Sequence, residues 1–219
     1  MARVTVSRIT DQRDLAEALT VLDAVYLKEK NWIKSAEQQL DETALSSTNV
    51  SWFLARYNRK PVGVLRLLYD PSFDFPPDIC LTLEKGINLD DLAAEHRFVE
   101  IGRFCILPEY RSRMLVSLRL MRIAIKEVVE RNYSHFITDV FENEPTSPFK
   151  FHTKLLGFEV IGKHLYGELT CSCTRIILTL DILKAYNNLK LKNSRIYRSL
   201  TYGIRGLLNK KLQLLNRKS

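Results

Sequence analysis

The sequence predicts an α/β (α+β) domain with a mixed, mostly antiparallel central sheet flanked by helices, plus a C-terminal basic helical tail. Three observations carry this. Apolar periodicity alternates along the chain between the strand value of two and the helical value near 3.6. Two pairs of adjacent strands are joined closely enough to be hairpins, one at Asn58–Pro61 and one around Gly167. From Lys184 onward there are ten Lys and Arg and no Asp or Glu, so the surplus positive charge sits in one terminal segment.

Each element follows in order. Arg3–Ile9 alternates as a strand, and Thr10 or Asp11 can cap the helix after it, whose apolar positions are Leu15, Leu19, Leu22 and Val25–Tyr26. Lys34–Asn49 is polar and reads as loop or short helix. Val50–Tyr57 and Val62–Leu68 form the first hairpin, and Asp70–Pro77, with three prolines, is irregular. Phe98–Ile106 is a strand, Arg111–Arg131 a long helix with an apolar stripe, and Ser134–Phe141 a strand. Pro145–Leu156 reads as a helix stopped by Gly157, and Phe158–Tyr166 with Thr170–Leu180 as the second hairpin. Strands and helices in this mixture demand a sheet covered by helices.

Composition sets limits. With 46% apolar residues among 219, the chain can bury a core. No apolar run reaches the roughly 20 residues that span a bilayer, and the first residues lack the apolar stretch of a secretory signal, so a cytoplasmic address is expected. Cys80, Cys105, Cys171 and Cys173 make no disulfide framework, and Cys171 with Cys173 lacks a second ligand pair, so no metal is expected. The net charge of +8 comes from the tail, because the remainder holds 23 basic and 25 acidic residues. The division is therefore 1–183 as the domain and 184–219 as a basic amphipathic extension.

The most informative segment runs from Glu100 to Met114, where a strand passes through a Pro turn into an Arg-rich helix start. Ile106, Pro108 and Arg111 resemble the hydrophobic-x-Pro-x-x-Arg run of GNAT acyltransferases, and Lys154-Leu155-Leu156-Gly157-Phe158 looks like that family's following helix end. Helix starts of this kind bind phosphate through unpaired amides. Ser112, Met114 and Val116 stand where the GNAT loop has glycines, and a Cβ hinders the close backbone approach that a pyrophosphate requires. The resemblance therefore implies acyl carrier protein, with its phosphopantetheine arm, as donor in preference to acyl-coenzyme A. Ile106, Arg111, Arg113 and Met114 are the residues expected to meet that arm or the acidic carrier, and Arg119, Arg122 and Lys126 extend the basic helix.

Three further motifs narrow the resemblance. Glu100-x-x-Arg103-Phe104, the strand around Arg66, and Val25-Tyr26 followed by Asn31-Trp32 are similar to the core of acyl-homoserine lactone synthases and of long-chain N-acyl amino acid synthases. Only Asp41-Glu42 stands where lactone synthases carry spaced acidic residues, which makes the amino acid synthases the closer likeness. The likeness spans roughly Val4 to Leu180 and implies transfer of a fatty acyl group to the amine of an amino acid, with no permanently bound cofactor. Lactone synthesis, coenzyme A-dependent acetylation and a non-catalytic membrane or nucleic-acid-binding module remain alternatives.

For such a transfer the amine must lose a proton, and Glu100 is the candidate base, against the alternative of an ion pair with Arg103. GNAT strands offer a backbone amide at a bulge to the oxyanion, which here falls on Phe104, Cys105 or Ile106. The Cys105 thiol itself is not expected to carry the acyl group. Arg66 and Arg103, charged among apolar neighbours, are candidates for the acceptor's carboxylate. Tyr26 and Trp32 can close over the substrate as an N-terminal lid. In the tail, Tyr186, Ile196, Leu200, Ile204 and Leu208 recur at helical spacing among Lys and Arg, with Gly203 and Gly206 marking a break. Such a helix suits an anionic membrane surface, which places the enzyme at the inner face of a membrane; packing on the domain is the alternative, and no nucleic acid is expected.

Overall fold

The computed structural model describes residues 3–75, 79–165, 169, 173–192 and 194–216. Its eight strands are β1 Val4–Arg8, β2 Val50–Tyr57, β3 Lys60–Tyr69, β4 Thr82–Leu83, β5 Phe98–Ile106, β6 His135–Phe141, β7 Glu159–His164 and β8 Arg175–Asp181. They form one sheet in the order β1-β2-β3-β5-β6-β8-β7-β4. Neighbours are antiparallel except β5 and β6, which run parallel. The mixed, mostly antiparallel sheet is thus the one the periodicity predicts.

The first hairpin turns on two residues, Asn58 and Arg59, both at positive φ (49° and 71°). Two left-handed residues match the twist of paired strands, and Asn tolerates that conformation better than most side chains. Lys60 and Pro61, read as turn in the sequence, instead begin β3. The turn at Gly167 lies outside the described residues, as do Cys171 and Pro77.

The helices are α1 Gln12–Leu22, α2 Thr43–Ser46, α3 Leu89–Glu95, α4 Met114–Glu130, α5 Ile182–Lys192, α6 Arg195–Leu200 and α7 Arg205–Asn216. Of the two cap candidates, Asp11 caps α1, its carboxylate accepting from the Asp14 amide at 2.8 Å. From α1 the chain continues into a π-helical segment, Asp23–Glu29. Two expected helices are shorter than the pattern suggests. Residues 111–113 are turn, with Arg113 outside the helical region, so α4 starts at Met114. Only 149–156 of the 145–156 segment is helical, π-helical over Phe151–Leu156 and ended by Gly157 at φ 91°. β4 and α3 went unread because two residues show no period and a helix of two turns shows little.

The sheet is covered on both faces. Phe53, Leu65, Leu67, Val99 and Ile101 pack with the α4 residues Val116, Leu120, Met121 and Val128. Residues of opposite parity, Trp52, Leu54 and Val64, pack with Leu15, Leu22, Val25 and Tyr26 on the other face. The tail joins the first layer: Tyr186, Tyr197, Leu200, Ile204 and Leu208 are buried in the same core as Met121 and Val128. Its apolar stripe is therefore spent on α4 and not left open to a membrane, while Lys190, Arg195, Arg198, Arg205 and Lys210 face outward. Gly203, at φ 77°, makes the expected break between α6 and α7. Among the described residues no helix is long and apolar enough to cross a membrane.

Candidate active site

The site begins with a parity change in β5. Ile101 belongs to the α4 face, but farther along it is Ile106 that does, while Cys105 joins the opposite face. Regular alternation cannot move from odd to even positions, so one extra residue must lie between. The register agrees: Gly102 pairs with Arg66 and Cys105 with Val64, three steps on β5 against two on β3. Arg103 sits in this bulge at φ 49°.

The bulge coincides with a splay. The parallel pairing of β5 with β6 extends only from Phe98↔His135 to Glu100↔Ile137. Beyond Glu100 the two strands diverge, and ladder bonds alternate on the remaining partner: Leu107 donates to the Val62 carbonyl at 2.9 Å. Cys105, two residues earlier on the same side, thus directs its amide at β3, and Ile106 directs its own into the gap.

Two chambers meet at this gap. One, of about 600 Å³, is walled by Tyr26, Trp32, Phe104, Ile106, Met114 and Phe151, among others. The other, of about 240 Å³, is walled by Arg66, Phe73, Phe75, His164, Arg175 and Ile177, among others. Glu100, Arg103, Thr138 and Asp139 line both, so these four residues form the threshold.

At the threshold Glu100 is paired with Arg66, Nη2 to Oε1 at 2.7 Å. The sequence alternative of a Glu100–Arg103 pair is not the one formed. Arg103 is instead held by the Gln39 side chain through Nε at 2.7 Å, with its guanidinium 6.0 Å from the Tyr26 ring centre. Gly102 makes the Arg66–Glu100 pair possible, since a Cβ there would lie 2.9 Å from Arg66 Nε and Nη2 and from Glu100 Oε1.

The remaining predicted residues divide between the chambers and the surface. Burial pushes the Cys105 thiol up to about 12, so it is no nucleophile near neutrality. Burial also raises the Tyr26 phenol, against the lowering pull of Arg103. Tyr26 and Trp32 lie 5.7 Å apart, and Trp32 packs on Phe141 at 4.2 Å, joining the N-terminal segment to the end of β6. Arg111 lines the larger chamber but is engaged: both Nη atoms reach Glu29, one at 2.8 Å, and Nε donates to the Ile106 carbonyl at 3.0 Å. Its hydrogen bond holds the Glu29 carboxyl below the usual range. Met114 is 49% exposed at the chamber mouth. Arg113 points away, its guanidinium over Tyr57 at 4.6 Å.

The basic helix is less available than its sequence suggests. Arg119 donates to the Val4 carbonyl, Arg122 stacks near Tyr202, and Lys126 lies 3.8 Å from Glu130. Arg119 and Arg122, both part-buried, serve packing along α4, whereas Lys126 stays exposed beside Glu130. Conversely, three residues of the threshold and smaller chamber went unread: Asp139, His164 and Arg175. Asp139 is the one exposed position in the strand pattern of β6, a signal available only once the strand's burial was known.

A mostly antiparallel sheet with one splayed parallel pair, a bulged strand at the splay and chambers meeting at a carboxylate defines a GNAT-type acyltransferase. The chain belongs to the N-acyl amino acid synthase FeeM family, whose sequence model matches residues 17–175. It is an enzyme that produces N-acyl amino acids. Among solved structures it is similar to FeeM, an N-acyl amino acid synthase from uncultured soil microbes, at 17% identity and TM-score 0.62, covering 85% of this chain and 95% of that one. It is also similar to aminoglycoside 6′-acetyltransferase type Ii (16%, TM-score 0.57, 81% and 97% covered). A GNAT-family acetyltransferase from Desulfovibrio desulfuricans gives 12%, TM-score 0.57, with 82% and 99% covered. No curated protein sequence matches the chain.

Proposed function

We propose that the donor is a long-chain fatty acyl group on acyl carrier protein, bound in the larger chamber, and that the amino acid enters the smaller one. The observation that carries this reading is the meeting of two chambers of different character at Glu100. The larger has room for a pantetheine arm and aromatic walls for an acyl chain. The smaller combines Arg66, Arg103 and Arg175 with an apolar wall of Phe73, Phe75 and Ile177, which suits a carboxylate and an apolar side chain.

In the reaction the amine nitrogen bonds to the thioester carbonyl carbon and the carbon–sulfur bond breaks. The arriving ammonium surrenders one proton to Glu100, which passes it to water, and a second reaches the departing thiolate. Arg66 takes Oε1 of Glu100, so Oε2 is the proton acceptor. The amide of Ile106, turned into the splay, stabilises the oxyanion, with Phe104 beside it. Cys105 contributes by holding the bulged strand to β3. Met114 and Ser112 at the chamber mouth replace the backbone cradle a pyrophosphate needs, which favours the carrier-bound phosphopantetheine over coenzyme A. Tyr26 and Trp32 close the acyl chamber from the N-terminal side. Arg113 and the outward cations of the tail provide charge for an acidic carrier and for an anionic membrane at the cytoplasmic face, respectively.

The test has two arms. Lipid extracts from cells producing the wild type should contain N-acyl amino acids absent with Glu100→Ala. Steady-state kinetics with one acyl chain on carrier protein and on coenzyme A should favour the carrier. A preference for coenzyme A would overturn the donor assignment.

A further inference from the structure

Asp139 stands at the threshold of both chambers, yet neither the deprotonation nor the acyl transfer described above uses it. Asp139 lies two residues beyond Ile137, the β6 partner of Glu100, and so occupies the same sheet face about 7 Å farther along. Its carboxylate is held by two side chains of the smaller chamber. Arg175 Nη1 lies 3.2 Å and His164 Nε2 3.4 Å from Asp139 Oδ2. Both partners are more than nine-tenths buried, whereas the Asp139 side chain is 40% exposed. Two rigid, buried groups therefore present one accessible carboxylate at the place where the chambers join.

Both partners also carry an unused nitrogen. His164 Nδ1 and Arg175 Nε are buried and have no hydrogen-bond partner among the described residues. A buried polar atom left this way is costly, and such atoms collect where a ligand completes the network. The chamber they line is of amino-acid scale and opens onto Glu100.

We infer that Asp139 is a second carboxylate of the active centre, which binds the acceptor's ammonium and aims its nitrogen at the thioester carbonyl between Asp139 and Glu100. This deepens the proposed function and rests on its placement of the amino acid. The division of labour follows from the surroundings of each acid. Burial pushes the Asp139 carboxyl up, but the His164 hydrogen bond and the Arg175 charge outweigh it and hold the group below the usual carboxylate range. A carboxylate so stabilised remains ionised and is a poor proton acceptor. It therefore pairs with the ammonium in the encounter complex and leaves deprotonation to Glu100. His164 and Arg175 are positioning residues: they orient the carboxylate and do not meet the reacting atoms.

The experiment uses the full chain and carrier-bound donor. Wild type is assayed with the twenty common L-amino acids, and the best acceptor is carried forward with the α-hydroxy acid of the same side chain, which lacks the ammonium. Asp139→Asn should raise KM for the amino acid tenfold or more, roughly the worth of a charge-assisted hydrogen bond, and change kcat much less. Inhibition by the hydroxy acid should be unchanged in the variant, and Asp139→Glu should recover part of the amino acid KM. Should Asp139→Asn fail to fold because Arg175 loses its counter-charge, Asp139→Asn with Arg175→Gln removes both charges and is measured against Arg175→Gln alone, so that any contact of Arg175 with the acceptor's carboxylate cancels. An unchanged KM in a folded variant, or equal weakening of amino acid and hydroxy acid, overturns the inference and leaves the proposed function standing. Failure of wild type to acylate any amino acid overturns both.

Discussion

Leu200→Ala tests whether the basic tail is part of the folded core. Leu200 is 1% exposed and packs in the core shared with Met121 and Val128. Truncating a fully buried leucine costs about 2–5 kcal/mol, because transfer energy is lost and the cavity closes incompletely. For a protein of this length each kcal/mol lowers Tm by about 2–4 °C, so Leu200→Ala should melt roughly 4–20 °C below wild type. Removing the tail goes further. Tyr186, Tyr197, Leu200, Ile204 and Leu208 are all buried, and at about 1.5–3 kcal/mol each their burial is comparable to the whole stability of an ordinary domain. A chain ending at Leu183 should therefore be insoluble or molten. Differential scanning calorimetry and urea denaturation of both variants provide the measurement. An unchanged Tm in Leu200→Ala, together with a soluble, cooperatively melting 1–183, would refute the reasoning and make the tail an independent extension.

Three further outcomes follow from the site. Glu100→Gln should lower kcat by about 10²–10⁴ with little change in donor KM, since the base acts on the transition state; near wild-type turnover at neutral pH would exclude it as base. Gly102→Ala should disrupt the Arg66–Glu100 pair, because its Cβ would lie 2.9 Å from atoms of both side chains; turnover should fall at least tenfold while the fold persists by circular dichroism. His152 is buried among Phe104, Phe151 and Phe158, and burial lowers its pKa to about 4. The unfolded chain therefore binds a proton that the native chain refuses between the ordinary histidine value near 6.5 and 4, so stability is lost as pH falls through that window. The loss approaches about 3 kcal/mol, and His152→Gln should flatten acid unfolding over the same range in urea titrations.

What the sequence determined by itself was whatever depends on near neighbours. Strand alternation, the apolar stripe of α4, the Asp11 cap and the stop at Gly157 are local, since each is settled by side chains and backbone within a turn or two. Glu100, Arg66 and Arg103 were legible too, because a charge on an apolar strand needs a reason wherever the strand lies. Their pairing was not. Glu100 takes Arg66 from the adjacent strand, and Arg103 takes Gln39, because a bulge resets the facing of β5 and Gly102 leaves room for a guanidinium. Arg111 matched a phosphate-binding pattern, yet its two Nη atoms meet Glu29, a partner invisible to spacing. Asp139, His164 and Arg175 come from three strands, so only the sheet order brings them to one chamber. The tail's stripe reads the same whether it faces a lipid surface or a helix, because burial of apolar area carries no direction. Only the tertiary structure chose, and it placed that stripe on α4.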